Sequence, residues 1–582
     1  MQSSNRESRL LALVLGLCAV TTTSPAAAAQ PTQYDVLIRG GTIYDGSGQP
    51  GFVGDVGVIA DRIAYVGRST DVTAKRVIDA QGLAVAPGFI NMLSWANESL
   101  IVDGNAQSDV RQGVTLEVMG EGWSEGPFTP EMKRLNTERQ TDIHYPVQWD
   151  TLGGYLDTIV RRGISPNIAS FVGATTVRVN VLGEGDVDPT PPQLARMQAL
   201  VRQAMQEGAM GVGSALIYAP GSYAETPELK ALMSEVARCD GMYISHMRSE
   251  GDRLIEAIDE VIDISRSTGA RATIYHFKQL GVDNWPKIDM AIGRVDQARK
   301  QGLQIAANIY PYTYGGTGLS SVMPPWVQAG GLEASLVRLR DPATRSRIIA
   351  QMHVKGEDWE NLYLAAGGAD GIILAGFRSD ELKPLTGQTL AAVARKRGKS
   401  PEETAIDLLV EDGSRVSALY RLMSEENVAR GVAVPWMSFG SDEAAPSTSG
   451  EVFQKYQSHP RAFGTFAKVL GHYVRETKTV TLTDAVRRLS ALPAASLHIR
   501  DRGQLKQGWF ADIAIFDPAT IADRATYEKP MAYAVGMREV MINGTLVLSG
   551  GEHTGARPGR VVRGPGWSGW PDGGACSKVA KQ

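Results

Sequence analysis

From about residue 89 to residue 442 the sequence alternates short apolar runs with amphipathic helical stretches, and this alternation restricts the fold more than any other feature. The clearest unit opens with the run 241–246, which ends at His246. A helical stretch follows with Leu254, Ile258, Val261 and Ile262 on one face, stops at Gly269, and gives way to a second apolar run ending at His276. Strand, helix and strand of these lengths form a βαβ crossover between parallel strands. Comparable runs end near Leu93, Gly120, Gly173, Ser214, Tyr310 and Asp442, which with the two histidines makes eight strand ends in order. Eight such units fit an α/β fold of the (β/α)8 TIM type, in which function gathers at the C-terminal ends of the strands. An open doubly wound sheet is the competing arrangement.

The flanks have a different texture. Between 34 and 85, alternating apolar residues are broken by Gly40, Gly41 and the Asp45-Gly46 turn, and the same pattern returns at 511–516 and 540–548. Alternation with such turns predicts small antiparallel sheets. We therefore expect one composite β domain built from segments 30–88 and 499–552, with a barrel over 89–498 inserted between them. A long insertion at about 315–433, between the seventh and eighth strands, is a candidate lid. Residues 553–582 read as an irregular surface tail.

Composition narrows the function. Of 582 residues, 59 are basic and 63 acidic, a net charge of −4 that gives no electrostatic footprint for nucleic acid or an anionic membrane. Arg6 and Arg9 precede an apolar run, 10–20, followed by Pro25 and four alanines. The run is about half the roughly 20 residues of a membrane-spanning helix, so segment 1–29 reads as a cleavable signal peptide and the location as periplasmic or secreted. Beyond it only Cys239 and Cys576 remain, which speaks against a disulfide framework; Cys239 reads as a small buried apolar residue. Oligomeric state leaves no trace in the sequence.

With eight histidines available, metal chemistry must combine imidazoles with carboxylates. His246 and His276 end successive strands, and adjacent parallel strands about 4.8 Å apart place two such imidazoles within reach of one ion. A single strand-end histidine is commonly a hydrogen-bonded structural residue; two in successive units favour ligation. Asp442 ends the last strand, where it could move a proton in hydrolysis or simply cap a turn. Glu121, just past the second strand, is a candidate third ligand. Lys278 and Arg248, two residues beyond the histidines, could bind a substrate carboxylate or form structural ion pairs, with Glu250 among the available acids. Tyr310 could present a phenol at the seventh strand end or plug the core. A rival signal is Gly122, Ser124 and Gly126, which match the G-x-S-x-G pattern of a serine esterase, although Pro127 and Pro130 interrupt the helix that should follow.

Several phrases in order, 86–90 (APGFI), 244–251 (ISHMRSEG), 310–312 (YPY), 459–461 (HPR) and 508–514 (GWFADIA), make the chain resemble the amidohydrolase superfamily, specifically its N-acyl-D-amino-acid deacylase (D-aminoacylase) family. That resemblance implies zinc-dependent cleavage of an N-acyl amide, with His246 and His276 as metal ligands, Asp442 as the catalytic carboxylate, and Lys278 and Tyr310 near the substrate carboxylate. The chain also departs from the family pattern. Where the family carries an H-x-H pair after the first strand, this chain has Leu93 and Trp95; Gly122 stands at the usual second-strand cysteine, and Ala174 at a third-strand histidine. The expectation is therefore a divergent hydrolase with one zinc per chain, held by His246, His276 and Glu121, with Trp95 filling part of the substrate mouth. Its substrate would be a small N-acyl amino acid or related amide. A metal-free barrel that binds ligands or does non-hydrolytic chemistry is the alternative.

Overall fold

In a computed structural model of the protein, the described residues are 33–578, apart from 69–71, 357–358 and 457. The segment read as a signal peptide, 1–29, lies outside them.

Period-two alternation in the two flanks produces a single sheet. Strands Tyr34–Ile43, Phe52–Ile59, Arg62–Gly67, Ala74–Asp79 and Ala84–Pro87 join Ile513–Phe516, Met537–Ile542, Thr545–Ser549 and Glu552–His553 in nine strands. The two chain segments meet antiparallel, with Val85 opposite Ile515 and Pro87 opposite Ile513. Val56, Val58, Ile63, Ile513 and Ile515 share one buried cluster, so the pairing removes the apolar face of both segments from water.

The intervening chain supplies parallel strands at Phe89–Asn91, Val114–Met119, Asn167–Ser170 continuing as Val172–Gly173, Gly211–Ala215, Met242–His246, Arg271–Ile274, Ile305–Ile309 and Met437–Phe439. They pair in chain order as two parallel sheets, of three and six strands, divided at Phe171. Around the break, Phe171 donates its N–H to the Met119 carbonyl, and between first and last strands Met92 donates to Phe439 at 3.2 Å. Strand residues are buried almost without exception, as befits parallel strands covered by helices. The helix Leu254–Thr268 shows why the sequence folds this way: Leu254, Ala257, Ile258, Val261 and Ile262 are buried on one face, and Gly269 ends the helix in the left-handed conformation, φ 76°.

The insertion forms its own three-stranded antiparallel sheet, Tyr314–Gly318, Ser417–Arg421 and Ile372–Gly376, in which the middle strand in space is the last in sequence. Helices Gly331–Arg340, Pro342–Met352, Leu390–Arg397 and Pro401–Asp412 accompany it. Among the described residues no helix is long and apolar enough to cross a membrane.

The expectation for the cysteines is corrected. Cys239 and Cys576 form a disulfide across 337 residues of sequence. The irregular C-terminal segment is held in place by its backbone: Val561 bridges Ile168 in parallel, Val562 donates to the Ile168 carbonyl, and Gly564 donates to that of Gly208. Backbone hydrogen bonds to strand and helix ends do not appear in side-chain patterning, so a Gly- and Trp-rich composition concealed them.

Candidate metal centre and active site

The strand ends open into a cavity of about 760 Å³, lined by Trp95, Glu121, His246, His276, Tyr310 and Asp442 among others, with residues of the insertion such as Thr317 and Phe377 forming part of its wall. Local backbone aims these groups inward. Gly120 has φ 104°, and a Cβ there would collide with the Phe171 carbonyl, so only glycine lets the chain turn and deliver Glu121. His276 and Asp442 have φ of 32° and 53°, left-handed values that non-glycine residues adopt at some cost. Hydrogen bonds hold both: His276 N–H donates to Asn308 Oδ1 at 2.8 Å, and Asp442 N–H to the Leu93 carbonyl at 2.8 Å.

Three donor atoms converge. Glu121 Oε1 lies 2.9 Å from His246 Nδ1 and 2.8 Å from His276 Nε2, and the two nitrogens are 2.9 Å apart. All three side chains are buried, and among the described residues this is the grouping that could hold a metal ion. Behind the imidazoles stands Glu250, which the sequence reading named only as an acid available for ion pairing. Its Oε1 is 2.9 Å from His276 Nδ1 and its Oε2 3.6 Å from His246 Nε2. With Nδ1–H of His276 turned to Glu250, Nε2 presents its lone pair to the cluster. A set of one carboxylate and two imidazoles, backed by a second carboxylate and open on one side, suits a borderline cation such as zinc.

The field at this point is negative. Burial by itself would raise the Glu121 carboxyl, but His276 and His246 outweigh it and hold the group below the usual carboxylate range. Burial raises Glu250 as well, and Lys278 and the two histidines reverse that. At His276, burial and Lys278 act downward, yet Glu250 and Glu121 prevail and lift it to about 9. Positive charge is thus favoured where the donors meet.

The other candidates fare unequally. Asp442 faces the cavity with its carboxyl raised, by burial first, against the pull of Arg461. Lys278 lines the cavity, but its ammonium already lies 2.6 Å from Glu250 Oε1 and 2.7 Å from His276 Nδ1. Tyr310 is buried, with its ring 6.4 Å from that of His276 and 4.5 Å from the Arg461 guanidinium carbon. Trp95 donates its indole N–H to Glu121 Oε2 at 3.1 Å and Asp442 Oδ1 at 3.2 Å.

Arg248 is corrected: its guanidinium is taken up by Glu260 and by the carbonyls of Ser222 and Ala224, so it does not face the cavity. Ser124 is corrected too. Its buried hydroxyl donates to the Gly126 carbonyl at 2.6 Å and accepts from the Gly173 amide, partners that cannot serve as a base. Arg461 was the residue the sequence reading missed as a functional group. It is buried with Nη1 2.6 Å from Asp442 Oδ2, and the 459–461 phrase was the available signal.

Comparison with known proteins identifies the family. The model for the amidohydrolase family matches residues 76–548. D-aminoacylase of Alcaligenes xylosoxydans xylosoxydans is 30% identical over 544 residues, covering 91% of this chain and 97% of that one. A crystal structure of N-acyl-D-glutamate deacylase from Bordetella bronchiseptica, complexed with zinc and a phosphonate mimic of the tetrahedral intermediate, superposes with a TM-score of 0.75 at 29% identity, over 91% of this chain and 100% of that chain. A D-aminoacylase structure, described in terms of a binuclear metal centre with one-metal activation and second-metal attenuation, gives a TM-score of 0.75 at 28% identity over the same shares. The chain belongs to the amidohydrolase family, among the D-aminoacylases.

Proposed function

We propose that the protein is a zinc-dependent amidohydrolase that cleaves the amide bond of N-acyl amino acids, with one ion per chain held by Glu121, His246 and His276. The observation that carries this reading is the convergence of three buried donor atoms 2.8–2.9 Å apart in the lining of one cavity that Asp442 also lines. Zinc, when bound, supplies a Lewis acid for the acyl carbonyl and a water acidic enough to act near neutral pH.

The chain's own residues do the rest. Asp442 is placed to accept a proton from the attacking water and to return it to the leaving amine, and its raised carboxyl suits both halves of that transfer. Arg461 stands beside Asp442 and Tyr310 with its Nε atom buried and, among the described residues, without a hydrogen-bond partner, which supports a role in binding the substrate carboxylate. The Lys278 ammonium is committed to Glu250, so we assign it to holding that carboxylate at the edge of the substrate site.

The same reading takes the eight strands as a closed barrel inserted in the composite β domain. The Met92 to Phe439 hydrogen bond and the parallel bridge between Ser94 and Glu443 support closure. A periplasmic or secreted location is proposed from the 1–29 segment, and the Cys239–Cys576 disulfide is compatible with an oxidising compartment.

The test is a metal count with an activity screen across N-acetyl D- and L-amino acids. We expect about one zinc per chain, lost with activity in the double variant His246→Ala, His276→Ala. Full activity in zinc-free protein would overturn the reading.

A further inference from the structure

The indole nitrogen of Trp95 sits between two buried carboxylates, 3.1 Å from Glu121 Oε2 and 3.2 Å from Asp442 Oδ1. Each carboxylate is thereby divided. Glu121 gives Oε1 to the imidazoles and Oε2 to the indole. Asp442 gives Oδ2 to Arg461 and Oδ1 to the indole. The backbone leaves the ring little choice of position. Ser94 donates its N–H to the Val118 carbonyl, Trp95 donates to that of Glu443, and Asp442 donates to that of Leu93. The segment bearing Trp95 is therefore pinned between the strand that leads to Glu121 and the one that leads to Asp442.

Two carboxylates brought together in a buried site repel, and each raises the cost of ionising the other. A divalent cation between them would relieve this. An indole N–H relieves part of it, because it is a donor with partial positive charge and has no lone pair to offer a metal. We infer that Trp95 is a positioning residue whose neutral N–H takes the bridging role a second divalent ion would otherwise fill, restricting the site to one ion and fixing both Asp442 and the oxygen of Glu121 that faces the histidines. This inference rests on the one-metal hydrolase reading. It goes further in assigning the exclusion of the second ion to a side chain, so that excess zinc does not attenuate this enzyme through that position.

The experiment is a zinc titration of the full purified chain by equilibrium dialysis, with steady-state kinetics on the best N-acetyl amino acid from the screen. The wild type should bind one zinc and hold its rate through an excess on the order of tenfold in zinc. Trp95→Phe keeps the ring and deletes the donor; its zinc affinity should fall roughly tenfold, in the range seen when groups that orient metal ligands are lost. Its kcat should fall roughly 10- to 100-fold with KM nearly unchanged, since the lost contact orients the proton-transfer group. The pair Leu93→His, Trp95→His should gain a second bound zinc. A wild type that binds one zinc, alongside Trp95→Phe with unaltered affinity and kcat, overturns this inference alone. A wild type that takes two zinc ions overturns it as well. A wild type that binds none overturns the metal-hydrolase reading and this inference with it.

Discussion

Arg461 Nη1 lies 2.6 Å from Asp442 Oδ2, with both side chains buried. The pair sets the working state of the group proposed to move the proton: burial raises the Asp442 carboxyl and Arg461 draws it back. Removing one member leaves the other charge without compensation, so Arg461→Met is expected to cost about 3–5 kcal/mol of stability, and to lower kcat/KM by roughly 100-fold or more through loss of substrate binding as well. Arg461→Lys should not restore activity, because a point charge cannot reproduce the planar fork. Denaturant midpoints and steady-state kinetics check both. Asp442→Asn should lose turnover while still binding zinc.

Glu250 reaches both imidazoles from the side away from Glu121. Glu250→Gln removes the charge that orients them and is expected to weaken zinc binding about 10- to 100-fold. Competition with a chromogenic chelator measures this, and unchanged affinity would count against Glu250 as the orienting group.

Glu125 gives a pH dependence of stability. Burial, with a smaller contribution from Glu98, lifts its carboxyl from 4.5 to about 8. The folded chain thus keeps a proton that the unfolded chain has already lost. Stability from this group is intact below about pH 4.5 and declines as pH rises toward about 8, by at most about 1.4 kcal/mol per unit, then levels off. Glu125→Gln should melt close to wild type near pH 4 and gain on it progressively up to pH 8. Parallel melting curves across that window would contradict the assignment.

The Cys239–Cys576 disulfide ties the tail to the helix Thr226–Arg238, which Cys239 caps. Reduction, or Cys239→Ser, is expected to cost about 2–5 kcal/mol. The freed C-terminal segment should then become the first site of proteolysis, followed by mass spectrometry with and without reductant.

Ser124 is expected to be dispensable for chemistry. Ser124→Ala should keep kcat within about twofold and lose roughly 1–3 kcal/mol of stability from two buried hydrogen bonds. Wild type should also resist labelling by a fluorophosphonate probe.

How far the sequence could be read follows from which forces leave a pattern in it. Apolar periodicity located the strand that ends at His246 and the strand Arg271–Ile274 that leads to His276, because burial of a face is written at every second or third residue. It paired the flanks through strands such as Ala84–Pro87 and Ile513–Phe516 for the same reason. The histidines, Glu121 and Asp442 were legible because strand-end polar residues stand out against apolar runs. Arg248 was misplaced because a long side chain two residues past a strand end can swing to either side, and Glu260 on the following helix claims it.

What the sequence by itself determined is the alternation that makes the scaffold and the residue types that could meet at its rim. The tertiary structure decided which of them do meet. Glu250 behind both imidazoles, Arg461 on Asp442, Trp95 between two carboxylates and Cys239 on Cys576 are contacts between residues that the sequence either left unassigned or read singly. The reason is physical: local propensity acts over a few residues. Electrostatic pairing and disulfide geometry act over a few ångströms, and only the folded chain turns separations of hundreds of residues into such distances.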